Sequence, residues 1–179
     1  METHKTRKDK YMHDFIIQLE TTPISESNRL TVDEMQILDE YEWFFQSISD
    51  GVEEDESPDE TITDFIEQFQ SYDNFVEVGS DDNGKWILFT DGFKRAFFAS
   101  SYPYFEEALQ ELMEKTSFEA FCGYEMGSLL YPLQRAYDDK YGLYIKNGDM
   151  RLLTLDNFIR HYLQPNVKYY IGGTVDYHC

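Results

Sequence analysis

From Leu30 to Gly84 the chain runs 55 residues without a lysine, arginine or histidine, and 18 of those residues are aspartate or glutamate. Like charges at that density repel one another in any compact state, so the fold must offset them with a core. The material for one is present. Aromatic residues make up 17% of the 179, with 14 Tyr and 14 Phe, which separates this chain from acidic disordered sequences. Residues 11–84 hold 21 acids against Arg29 alone, a balance of −20, whereas residues 85–179 carry twelve acids and ten bases. The formal charge of −20 therefore comes from one continuous part of the chain. Halophilic adaptation would acidify the whole surface, and the near-neutral C-terminal half argues against it. A field this lopsided concerns partners: it attracts basic surfaces and repels nucleic acid and anionic lipid.

The length suits one domain, expected over residues 11–179, behind a loose basic tail at residues 1–10. Cys122 and Cys179 are too few for a disulfide framework, and Cys122, in an apolar run, is expected to be a buried thiol. The basic N-terminus is followed by no apolar segment, and no run is long enough to span a membrane. A cytoplasmic protein is expected.

The periodicities predict an α+β fold: an antiparallel sheet, built from a central meander and hairpins, packed with four to five helices. Tyr11 to Glu20 reads as a first strand. Thr31 and Glu34 have capping-box spacing and open a helix that ends at Asp50-Gly51, with Ile37, Leu38, Tyr41, Phe44, Phe45 and Ile48 inward. Residues 52–57 read as an exposed acidic loop. Ser57-Pro58-Asp59-Glu60 opens a second helix with the stripe Ile62, Phe65, Ile66, Phe69. Residues 31–72 thus form a strongly acidic two-helix region. The meander is expected over residues 75–99, with turns at Asp81–Gly84 and Asp91-Gly92. A third helix is expected from about Pro103 to Lys115, with Phe105, Ala108, Leu109 and Leu112 inward. Leu129, Leu130, Leu133 and Ala136 suggest another, opened or kinked by Pro132. A hairpin over residues 142–153, a short helix capped by Thr154 and a last strand over residues 167–177 complete the reading.

The acids carry the functional expectation. Glu60, Asp64 and Glu67 share a face opposite the apolar stripe of the second helix. Like charges at that spacing, about 6 Å, weaken a helix, so neutral helix formers would serve stability better. Asp39, Glu40 and Asp50 lie off the apolar face of the first helix, with Trp43 among them. An exposed tryptophan beside carboxylates suits an interface anchor that receives arginine. Glu53, Glu54, Asp55 and Glu56 join the two. These eleven residues are the expected partner-binding set. No G-x-G-x-x-G, Walker A, H-E-x-x-H or G-x-S-x-G motif occurs. The Asp81–Gly84 run lacks the ligand alternation of a calcium loop, and the terminal His178-Cys179 has no second spaced pair for a metal. No enzyme, cofactor or metal is therefore expected.

With no basic patch beyond residues 5–10, direct nucleic-acid binding is disfavoured. The expectation is an inhibitor that imitates nucleic acid before a basic nucleic-acid-binding protein such as a Cas effector, restriction enzyme or nuclease. In composition and size it is similar to the anti-CRISPR and anti-restriction proteins of phages and mobile elements. An immunity protein against a basic nuclease toxin and an acidic regulatory or scaffold domain are the alternatives.

Overall fold

The computed structural model describes residues 13–37, 41–72, 74–148 and 151–178. The basic tail expected at residues 1–10 lies outside them. The chain is α+β, with a seven-stranded, mostly antiparallel sheet as its frame. In chain order, β1 (His13–Glu20) leads to the short helices α1 (Val32–Ile37) and α2 (Glu42–Ser47), then β2 (Gly51–Glu54) and α3 (Pro58–Glu67). β3 (Val76–Asp81) and β4 (Gly84–Phe89) form a hairpin. Three helices follow, α4 (Phe93–Lys115), α5 (Phe118–Cys122) and α6 (Glu125–Tyr137). β5 (Tyr144–Lys146) and β6 (Leu152–Thr154) precede α7 (Leu155–Asn157), which continues as a π-turn through Tyr162 into β7 (Lys168–His178).

β7 is the spine. One side pairs along its length with β1. The other side is shared: β4 takes Lys168 to Tyr170, and β2 takes Val175 to His178. β5 joins β1 in parallel, the exception to the antiparallel pairing, and β6 closes that side. Alternation along β1 sends Ile17 and Leu19 to one layer and Ile16 to the other. The first layer packs under α3, the start of α4 and the α7 turn, through Phe65, Phe69, Phe93, Phe158 and Ile159. The second packs under α1 and α2 through Met35, Tyr41 and Phe44.

A bulge in β7 makes this two-layer arrangement possible. Ile17 pairs with Thr174 but Leu19 with Ile171, so β7 spends one more residue than β1 at Gly172-Gly173. The extra residue inverts the alternation. Tyr169 and Ile171 face the α3 layer, whereas Val175 and Tyr177 face the α1–α2 layer. Gln18, fully buried opposite the bulge, holds it. Its Oε1 accepts from the amides of Leu30 at 2.8 Å and Gly173 at 3.2 Å, and its Nε2 donates to the Asn28 carbonyl at 2.8 Å. The glycines are required: a Cβ on Gly173 would overlap the Leu30 carbonyl oxygen, and one on Gly172 the Gln18 amide.

Several expectations are corrected. The first helix is two helices, with residues 38–40 outside the description; Tyr41, Phe44, Phe45 and Ile48 pack inward as expected, but Ile37 is exposed and Met35 takes the buried position. Thr31 does cap the amide of Glu34 at 3.2 Å, but the Glu34 carboxylate turns to the buried Lys146 at 3.3 Å instead of closing the box. Ser57 makes no side-chain cap either; its amide donates to Asp55 Oδ1 at 2.9 Å. Residues 51–54 are a strand, because the upper half of β7 presents a free row of backbone groups to them. Residues 93–99 are the first two turns of α4. Phe93 and Phe97, four apart, both pack against the ring of Tyr72, the first edge-on and the second tilted, a helical contact that overrides their β-propensity. Cys122 is exposed. The α3 stripe, the β3–β4 and β5–β6 hairpins and the Thr154 cap stand as expected.

Candidate functional site

The expected partner-binding residues fall on two sides of the sheet. Glu53 to Glu67 follow one path, along β2, through the turn at Asp55–Ser57, and over the outward side of α3. β2 pairs on one side with β7, and Val52 points into the core while Glu53 and Glu54 are exposed. Charges on such a strand also block edge-to-edge pairing with another sheet. Glu53 meets His178 Nε2 at 3.2 Å. Asp55 is structural: it accepts from Thr174 Oγ1 at 2.6 Å as well as from the Ser57 amide. Glu56, Glu60, Asp64 and Glu67 are all exposed. Among the described residues no basic side chain pairs with any of these four or with Glu54, and the one base touching α3 is Lys85, on Asp59 at 3.3 Å.

Helix electrostatics distinguish these acids. Asp59 and Glu60 sit in the first turn of α3, where the dipole favours them. Asp64 and Glu67 sit toward its C-terminus, where the dipole disfavours negative charge, and the last turn carries no base. Helix stability therefore accounts for Glu60 and leaves Asp64 and Glu67 without a local benefit.

Trp43 stands apart from this track. Trp43 projects from α2, on the layer opposite α3, 44% exposed and edge-on to the buried Phe44. Asp50 is exposed just ahead of β2. Asp39 and Glu40 lie outside the described residues. One flat partner surface thus reaches the β2–α3 track or the Trp43 side, and the track holds most of the set.

A second group of acids was not visible as a group in the sequence. Asp14, Asp64, Asp139 and Asp156, with Phe15, Phe65 and Leu143, line an open cleft of about 370 Å³ beside α3. Burial pushes the Asp14 carboxyl up to about 6; the Phe15 amide opposes this, and Asp139 and Asp176 add to it. Burial also raises Asp156, against a hydrogen bond from the Asp139 amide. These residues come from β1, α3, the α6–β5 link and α7, so no spacing rule joins them. Among the described residues no group of three or more His, Cys, Asp or Glu is arranged to hold a metal ion. No helix among them is long and apolar enough to cross a membrane. No family model, curated protein or solved structure matches this chain.

Proposed function

We propose that this chain is a non-enzymatic acidic binder whose β2–α3 track occupies the basic groove of a nucleic-acid-binding protein in place of nucleic acid. The observation that carries this reading is the position of Asp64 and Glu67. They are exposed, unpaired with any described base, and set against the dipole of their own helix. Positions that weaken the element bearing them suit groups whose favourable interactions come from a partner. Arginine and lysine in such a groove would meet carboxylates about 6 Å apart along the helix. Association would be fast and would weaken as salt rises.

The test is retention of cellular proteins from a host, or from the host's adversaries, on immobilised wild type and on the double variant Asp64→Lys, Glu67→Lys. Reversal places positive charge where the helix dipole prefers it, so the fold is expected to stand. The wild type is expected to retain a basic nucleic-acid-binding protein that the variant releases. Equal retention by both removes α3 from the interface. A partner that binds the wild type without regard to nucleic acid moves the reading to a toxin-immunity role.

A further inference from the structure

We propose that the helical arm α4–α5–α6 is the interface through which two copies of this chain pair. The arm leaves the sheet at Phe93, which is buried against Phe89, and returns at Tyr137. Its root is fixed by Arg160, whose guanidinium lies between the rings of Phe98 and Tyr137, 4.6 and 4.2 Å from their centroids, and donates to the Tyr137 carbonyl. From there α4 runs 23 residues, about 34 Å, and α6 packs back along it. The arm nevertheless has almost no interior. α4 buries Phe93 at its root and Ala108 further along, α5 buries Ala120, and α6 buries nothing completely. Several of its large apolar side chains point outward instead. Tyr104, Met113, Phe118, Phe121 and Tyr124 are 68–98% exposed, and the last four stand where α4 turns through α5 into α6.

Area and charge both select a second copy as the occupant. An aromatic side chain buries about 150–250 Å², so the four aromatic ones among these offer on the order of 700 Å². A stable interface needs about 800 Å² from each partner. Two layers of paired helices also make a four-helix arrangement, in which facing helices share a core. Residues 93–137 carry six acids and four bases, against a whole-chain charge of −20. Two copies meeting through the β2–α3 side would set acid against acid. The arm is where the same two molecules approach with least repulsion. The two surfaces share no residue, so pairing through the arm does not itself consume the acids of the track.

Sedimentation velocity on the full chain, at low and high salt, tests the pairing. The wild type is expected to sediment at twice 21.3 kDa, and more completely at high salt, where repulsion between the bodies is screened. Phe118→Glu with Phe121→Glu is expected to weaken pairing at least about 100-fold and give a monomer that still unfolds cooperatively, with a midpoint that no longer depends on protein concentration, since both side chains are exposed. A wild type that stays monomeric at about 100 μM in either salt overturns the proposal, and so does a double variant that remains dimeric. Partner retention by the acidic track is read separately: a monomer that still captures a basic protein fails this inference alone.

Discussion

Gln18 shows how one side chain can fix a long-range arrangement. Its amide satisfies three backbone groups, two of them on a loop ten to twelve residues away and the third on β7. Gln18→Leu keeps the volume and removes every partner, leaving buried amides unsatisfied at about 1–3 kcal/mol each. A loss of about 3 kcal/mol or more is expected in urea denaturation; a loss below about 1 kcal/mol would mean the loop is held by other contacts. Asp14 makes the opposite kind of contribution. The folded chain keeps this proton up to about pH 6, whereas the unfolded carboxyl releases it near 3.8. Its stabilising effect is thus complete below the unfolded value and is lost as pH rises through about 6. Asp14→Asn, which still accepts from the Phe15 amide, is expected to be about 2 kcal/mol more stable than wild type at pH 7.5 and equal to it near pH 4. Parallel stability profiles for the two would contradict this. Neither residue was legible in the sequence. A lone glutamine in a strand and a lone aspartate at its start give no signal, because their partners lie up to 162 residues away.

The elements that periodicity revealed are those whose stripe faces the sheet squarely. α3 shows Ile62 and Phe65 at helical spacing, with Phe69 continuing the stripe in the turn beyond it, because one face alone is wet. α4 misled for the reverse reason. Its first turns are pressed among aromatic rings and its remainder projects into solvent, so no single stripe runs its length. β2 was hidden by its own chemistry: acids are poor strand formers, yet a strand with one partner tolerates and even favours them. The glycines of β7 were visible, but their meaning appears only with the register slip they accommodate. Gly173→Ala would force the Leu30 carbonyl away and uncouple the bulge. It is expected to cost about 3 kcal/mol or more, measurable as a lowered unfolding midpoint. Retention of the wild-type midpoint would show that the loop over β7 moves freely.

At the scale of the whole molecule, the charge division read in the sequence becomes a division of surfaces. Acids gather along β2 and α3, while the apolar arm extends from the other half of the chain. The two are expected to respond to salt with opposite sign, partner binding weakening and self-association strengthening as charge is screened. Ten of the eleven expected contact residues were legible as acids, and of the eleven Trp43, Asp50, Glu53, Glu54, Glu56, Glu60, Asp64 and Glu67 are exposed. Their separation onto two sides of the sheet was not, because it depends on the layer each helix covers, which only the topology decides. The central claim is that the acidic track stands in for nucleic acid. It is tested most directly by titrating duplex DNA or RNA into the complex between this chain and the basic protein it captures. Stoichiometric release of the protein by nucleic acid, at moderate salt, is the expected result. A complex that persists through saturating nucleic acid would contradict the claim.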